Sequence, residues 1–416
     1  MAISGEGSSG QGQDADVVVV GAGVVGLALG IALAQAGFRI VLVGPPPAPQ
    51  AGRTVALLEG SLDFLDALGL SGRLAGSTEP LRTMRLVDAT GSAFAAPPVS
   101  FAAKELGLPS FGSNVDNADL VAALSEQAAV TAGLSLRPVF WTSSERGGSS
   151  VATTLADGSQ VHSRLLVAAD GARSGVRIAA GIGAREQRYP QVAVTAHLAH
   201  PRPHDGVSTE FHTRAGPFTL VPLPAKDDYP HRSSLVWVME PAEAERRLPL
   251  APERFCGEVD RQSRSLLGAT ALLSPRGRFP IVRVSADRLV AARLALVGEA
   301  AHALPPIGAQ GLNLSLRDAA TLVEVLEDAR AAGRDIGAAA ALAAYEGARR
   351  GDVALRGGAV DLLNRALLSR AAPVDALRGV GARLLRAVPT VRHALMRQGL
   401  RPSPESLPHL MRDRRV

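Results

Sequence analysis

Asp16-Val17-Val18-Val19-Val20-Gly21-Ala22-Gly23-Val24-Val25-Gly26 is the stretch whose reading decides the fold. Four consecutive β-branched residues predict a short strand buried on both faces, as strands of a parallel sheet are. The turn after it has the spacing G-x-G-x-x-G, and Leu27 to Ala34 then reads as an apolar helix. The first glycine makes the tight turn. The second lets backbone approach a pyrophosphate, and the third lets helix and strand pack closely. The helix N-terminus attracts the phosphate charge. In a chain with 43 glycines the motif alone is weak; its place between a valine strand and an apolar helix makes it specific. Residues 17–38 carry no charge, which is long enough to span a bilayer. The glycines interrupt that run at helix-breaking spacing, so a buried strand–turn–helix unit fits better.

A chain of 416 residues can bury a large core and suggests two or three domains. The formal charge is +5, and Lys104 and Lys226 are the only lysines, so the positive charge is nearly all arginine. That is a composition bias rather than a nucleic-acid signature. From Asn364 onward eleven arginines face three acids, about +8, which leaves the remainder slightly acidic. The bland reading of this tail is a solvated helical surface. The sharper one is a surface that meets an acidic partner or an anionic membrane. Cys256 is the only cysteine, so no intramolecular disulfide forms and it reads as a small core residue. No signal peptide is recognisable at the N-terminus, and residues 1–14 read as a flexible leader. The expectation is a cytoplasmic protein, peripheral at most on the inner face of the membrane.

Phe38–Val43 reads as a second parallel strand. Dinucleotide-binding folds usually end it with an acid that holds a ribose; here the position is Gly44. Arg53 is a candidate partner for a cofactor phosphate, with a surface arginine as the alternative. A helix is expected over Ser61–Gly69, strands and loops over 80–110, and a helix from Asn117 to about Ala132 with Asn117 at its start. Residues 150–168 read as one hairpin around Asp157-Gly158. Its second strand runs into Asp170-Gly171, which puts a carboxylate at a strand's C-terminal edge, where ligands bind in open α/β sheets. Residues 189–284 read as mainly β. The histidines His197, His200, His204 and His212 lie in an irregular, proline-interrupted run with no carboxylate at ligand spacing except Asp205, so a metal site is not expected. A buried strand at Arg293–Val297 ends in Gly298-Glu299-Ala300-Ala301-His302, followed by Leu304-Pro305-Pro306-Ile307-Gly308-Ala309-Gln310-Gly311-Leu312-Asn313. Two prolines stiffen this loop, and Gly311 permits close backbone approach. A helix expected to begin close to Asn313 offers free N–H groups to negative charge on a planar ligand. The chain is helical from about Ala338. No Walker lysine and no G-x-S-x-G elbow occurs.

Three motifs in one order, Gly21-x-Gly23-x-x-Gly26, Asp170-Gly171, and Gly298-Glu299-Ala300-Ala301-His302 with its proline-rich loop, make the chain resemble the single-component FAD-dependent aromatic hydroxylases. Within them it is most similar to the ubiquinone-biosynthesis hydroxylases of α-proteobacterial type. Arg53-Thr54-x-Ala56-Leu57, the Gly216–Leu223 segment, Trp237, and Tyr345-Glu346 with Arg349-Arg350, Asp361 and Asn364 extend the likeness over nearly the whole chain. The resemblance implies an α/β fold: a Rossmann-like FAD-binding domain (15–78, 111–186 and 285–335), an inserted β-sheet substrate domain (79–110 and 187–284) and a helical C-terminal region (336–416). It implies that Gly21, Ala22, Gly23 and Gly26 approach the FAD pyrophosphate, that Arg53 contacts the cofactor, and that Asp170 serves FAD and the pyridine nucleotide. Gly298 and Glu299, where the family usually has aspartate, would meet the ribityl chain; Pro306, Gly311, Leu312 and Asn313 would lie beside the flavin ring. The departures are Gly44 for the ribose-binding acid, Glu299 for aspartate, and Ser315 where glycine is frequent. None of these is read as inactivating.

The implied reaction has two halves: NAD(P)H reduces FAD, and the reduced flavin activates O2 for transfer of one oxygen atom to an electron-rich ring. The cofactor carries that chemistry and the protein supplies position and electrostatics. No second G-x-G-x-x-G stands between a strand and a helix, which suits a transiently bound NAD(P)H. The implied substrate is a polyprenylated phenol, met at a membrane surface, and the implied partners are other quinone-biosynthesis proteins or further copies in a homo-oligomer. No catalytic base is named; His302 reads as structural. The alternatives are a hydroxylase of a soluble aromatic, a flavin-free NAD-dependent dehydrogenase, and a non-catalytic member of a quinone-synthesis complex.

Overall fold

The computed structural model describes residues 14–48, 52–92, 97–306, 308–368, 372–400 and 406–412. The leader residues 1–13 lie outside it. Asp14, read with the leader, instead belongs to the fold: the His162 N–H donates to its carboxylate at 3.1 Å.

Val17–Val20 forms the expected strand, and all four valines are buried. It lies in a six-stranded sheet whose order is Val290–Ala291, Leu294–Leu296, Leu165–Ala168, Val17–Val20, Ile40–Val43, Leu134–Arg137. Every neighbouring pair is parallel except the first. Helix Val24–Gln35 follows the glycine turn and is buried almost all round, which is why its sequence lacks a polar face. The long helix Gln310–Ala331 packs beside it. Leu29, Ile31, Leu316, Leu322 and Leu326 belong to one apolar core with the valine strand.

The glycine turn is fixed by sterics. Gly21 sits at φ +116°, and a Cβ there would stand 2.3 Å from the Ala169 carbonyl oxygen. A Cβ on Gly26 would stand 1.8 Å from the Gly21 carbonyl oxygen. No side chain fits at either place.

The hairpin expected over 150–168 is divided. Val151–Leu155 and Gln160–Ser163 pair antiparallel, with Trp141–Arg146 as a third strand. At Arg164 the chain leaves that meander, and Leu165–Ala168 joins the parallel sheet. Its two-sided apolar character belongs to a central strand, not to a hairpin arm. The helix expected from Asn117 spans Asn117–Val130, but its cap is Asp116, whose carboxylate accepts from the Ala118 N–H at 2.9 Å.

A nine-stranded, mostly antiparallel sheet gathers Thr83–Asp88 and Val99–Ala102 with strands from Ala184–Ala199 to Gly277–Ala286 and His302–Ala303. Its register separates two faces. On one, Val194, Phe211, Phe218 and Trp237 are covered by helix Pro241–Arg247 through Ala244 and by helix Pro252–Gln262 through Phe255, Cys256 and Val259. Cys256 is thus the core residue the sequence suggested. On the other face stand Ala193, Thr195, His197, Ser234 and Val236, continued at the sheet's far end by Leu86 and Met84. This second face looks toward the parallel-sheet half. The Thr54 hydroxyl donates to the Ser234 hydroxyl at 2.9 Å, and the Arg53 guanidinium lies 5.8 Å from the Phe279 ring centroid.

The steric contacts predict that Gly26→Ala cannot be absorbed by side-chain motion, because the atom it meets is backbone. The expected cost is about 3 kcal/mol or more, read as a lower thermal midpoint of the apoprotein and loss of soluble protein.

Candidate active site

The three sequence motifs converge at the C-terminal edge of the parallel sheet. The Asp170 backbone N lies 2.9 Å from where a Gly21 Cβ would stand. Asp170 accepts from the Val176 N–H through Oδ2 at 3.2 Å, while its Oδ1 is buried without a hydrogen-bond partner among the described residues. An orphaned carboxylate oxygen in a cleft is a costly feature unless a bound group supplies a donor. Ser174 caps the short helix after it by accepting from the Arg177 N–H at 2.9 Å. The Arg177 guanidinium, 7% exposed, donates to Ala300 O at 2.8 Å and to Ala172 O at 3.0 Å. It thereby ties the Asp170 loop to the Gly298–Ala301 loop.

Gly298, at φ +63°, is wedged between the glycine turn and the long helix. A Cβ there would come within 3.3 Å of Val25 Cγ1 and 3.2 Å of Ser315 Cβ. Its N–H donates to Asp318 Oδ2 at 3.0 Å. Asp318 is 1% exposed and also bonds His302 Nε2 at 2.6 Å and Arg349 Nε at 2.7 Å. Burial alone would raise its carboxyl, but His302 and Arg349 hold it below the ordinary carboxylate range. His302 is therefore a buried partner of Asp318, and the structural reading of it fits this geometry. Glu299 projects to solvent from the turn Gly298–Ala300.

The long helix begins at Gln310, three residues earlier than expected, so Asn313 lies in its first turn. Gly308 and Ala309 both adopt left-handed backbone, φ +64° and +55°. For Ala309 that is uncommon and costs energy. Among the described residues no side chain caps the helix, and its first turn contains no acid. The Gly311 and Leu312 N–H groups lie in the first turn, where an α-helix has no carbonyl of its own to offer them. Among the described residues, nothing lies within 4 Å of where a Cβ on Gly311 or on Gly23 would stand. Their glycine character leaves room for something outside the chain, unlike that of Gly21 and Gly26. Pro306 is exposed beside this opening, and Leu312 packs against the core.

Asn313 has a role that its sequence position did not suggest. Its Oδ1 accepts from the Leu58 N–H at 2.8 Å, and its Nδ2 donates to Ala56 O at 2.8 Å and to Ala309 O at 2.6 Å. It pairs with strand Thr54–Leu58 as another strand would. Arg53, at the start of that strand, faces the large sheet through Phe279. Gly44 is held at φ +142°, where a Cβ would stand 3.2 Å from the Ala22 N. The departure at this position is thus a backbone feature as well as a missing acid.

A second ionic layer backs the loop. Asp352 on helix Ala339–Leu368 bonds Arg317 and Arg349 at 2.9 Å each and Arg356 at 2.7 Å. Arg356 also donates to Gln310 Oε1 at 2.9 Å. Burial opposes ionisation of Asp352, yet the three guanidinium groups hold its carboxyl down at about 2. Sequence reading missed Arg177, Asp318 and Asp352. Asp318 alone left a signal: it falls on the stripe Leu314, Asp318, Leu322, a charge at helical spacing among buried residues.

Glycines of three motifs, a carboxylate oxygen without a partner among the described residues and the start of a long helix thus come together at this sheet edge. The chain belongs to the FAD binding domain family, whose model matches residues 14–354. It is 37% identical over 391 residues to the ubiquinone hydroxylase UbiL of Rhodospirillum rubrum, covering 92% of this chain and 89% of that protein. It is 29% identical over 359 residues to the 3-demethoxyubiquinol 3-hydroxylase of Escherichia coli, covering 84% and 89%. Among solved structures it is similar to p-nitrophenol 4-monooxygenase PnpA of Pseudomonas putida, with a TM-score of 0.75, 20% identity, and coverage of 93% and 98%. The fold and family are those of an FAD-dependent monooxygenase.

Two outcomes are expected here. Gly23→Ala, whose backbone at φ −75° suits any residue, leaves the apoprotein's thermal midpoint unchanged but weakens FAD binding about tenfold or more, roughly 1.4 kcal/mol, measured by flavin titration. Asp352, depressed in the folded state to about 2 from roughly 3.9 unfolded, contributes stability that is complete above the unfolded value and lost as pH falls toward the folded one. Between about pH 4 and 2 the wild-type midpoint therefore falls more steeply than that of Asp352→Asn, measured by thermal denaturation.

Proposed function

We propose that this protein hydroxylates the aromatic ring of a polyprenylated phenol, a ubiquinone precursor, using FAD, NAD(P)H and O2. The observation that carries the reading is the end-to-end likeness to a ubiquinone hydroxylase, 92% of this chain against 89% of that protein.

The residues present fit the cofactor. The Gly21–Gly26 turn offers backbone N–H groups and the start of a helix to a pyrophosphate. Gly21, Ala22, Gly23 and Gly26 are assigned to it. Asp170, with its free Oδ1, is assigned to a hydroxyl or amide donor of the bound nucleotide. Gly298 and Glu299 are assigned to the ribityl side; Pro306, Gly311, Leu312 and Asn313 form the wall at the flavin ring. When bound, FAD supplies the redox and oxygen chemistry. The chain's own contribution is positional and electrostatic. The helix start at Gly311–Leu312 favours negative charge on the ring edge facing it. Asp318, through Gly298, His302 and Arg349, keeps that start in place. Ala193, Val236, Val238 and Ile281 give the large sheet an apolar patch on the face toward this loop, which suits a ring and excludes water.

A prenyl tail partitions into lipid at about 0.8 kcal/mol per buried CH2, so the enzyme would meet its substrate at a bilayer surface. Among the described residues no helix is long and apolar enough to cross a membrane.

The purified holoenzyme is expected to oxidise NAD(P)H faster when a micellar prenylated phenol is added, with the hydroxylated product detected by mass spectrometry. Removing the tail should lower kcat/KM about tenfold or more. Equal efficiency on the bare head group would instead indicate a soluble aromatic substrate. Oxidation that no phenol stimulates would indicate a non-catalytic member.

A further inference from the structure

We propose that the outer face of the C-terminal helical hairpin docks this protein on an anionic lipid surface. The proposal deepens the substrate reading above.

Helices Ala372–Ala387 and Pro389–Leu400 pack against each other. Their inner side is accounted for. Ala382, Leu385 and Met396 pack on Val99, Phe101 and Phe111. Arg392 and His393 bond the Glu105 carboxylate at 2.6 and 3.2 Å. The outer side carries Val380 and Leu384 on one helix and Val391 and Leu395 on the other, exposed by 58, 48, 41 and 48%. On each helix the pair is four residues apart, so each forms one stripe. A helix that buries one apolar stripe normally gives its opposite face to polar residues. Here the opposite face is apolar as well. Exposed apolar stripes on two helices that pack together are the kind of surface that serves as an interaction site.

The charge around the stripes selects the occupant. Arg383, Arg386 and Arg397 are exposed beside them. Between Asp375 and Glu405 the chain has six arginines and no acid. A second copy of this face would bring arginine against arginine with no carboxylate between them. A surface of acidic headgroups over hydrocarbon satisfies both features: the arginines meet headgroups while Val380, Leu384, Val391 and Leu395 enter the apolar boundary.

The position also suits the substrate. Val99 and Phe101 pair with Leu86 and Met84, which share the sheet face of Val236 and Thr195. The hairpin therefore covers the far end of the same face that lies toward the flavin loop. Docked there, the enzyme would keep that face close to the lipid.

The test is co-sedimentation of the full-length holoenzyme with phosphatidylglycerol-containing vesicles and with pure phosphatidylcholine vesicles. Two double variants are compared with wild type: Leu384→Asp with Leu395→Asp, and Arg383→Glu with Arg386→Glu. Flavin content and circular dichroism check the fold. Wild type is expected to bind the anionic vesicles selectively and to lose that binding in high salt. Each double variant should bind about tenfold or more weakly, while turnover of a tail-less phenol in solution is unchanged. Equal binding to both vesicle types, no binding to either, or variants that bind like wild type would overturn the proposal. So would a wild-type dimer that the variants dissociate. If vesicle binding follows the prediction but no phenol is hydroxylated, the docking surface stands and the substrate reading falls.

Discussion

One buried carboxylate holds the cleft in shape. Asp318 receives the Gly298 N–H and the His302 ring from one loop and the Arg349 guanidinium from the C-terminal helix. An ion this deep is tolerated only when its acceptor positions are filled by good donors. Removing any one of them would leave charge uncompensated. The arrangement therefore fixes the relation of the Gly298 turn, the long helix and the C-terminal helix. Asn313 then couples the same helix to strand Thr54–Leu58. The uncapped helix start keeps its N–H groups directed at one place because both ends of its first turns are pinned.

The two sheets divide the work. The parallel sheet presents loops from its C-terminal edge, where backbone N–H groups and an orphaned carboxylate oxygen are gathered. The large sheet turns one face to its own helices and the other toward those loops. Gly357 marks how close the halves come: a Cβ there would stand 3.4 Å from Leu304 and 3.7 Å from Arg283.

Much of this was legible in the sequence because local sterics dictate it. The valine strand, the turn at Gly21–Gly26 and the carboxylate at the strand end each follow from a few neighbouring residues. What was not legible depends on partners far along the chain. Arg177 reads as an ordinary helix residue until its bond to Ala300, 123 positions away, is known. The break at Arg164 was hidden because Gln160–Ser163 and Leu165–Ala168 are both strand-like, and only their pairing separates them. Asn313 was noticed as a helix start, whereas its amide completes a strand edge. Gly44 was read through the acid it lacks, while its backbone at φ +142° beside Ala22 disfavours any side chain there.

The central claim is that this cleft serves hydroxylation in ubiquinone biosynthesis. The quinone content of a strain deleted for the gene, measured by mass spectrometry of lipid extracts, tests it most directly. The account predicts less ubiquinone and accumulation of a prenylated phenol that lacks one or more ring oxygens, restored by wild type. Normal ubiquinone with no accumulated precursor, in a strain carrying no other hydroxylase of this family, would contradict it.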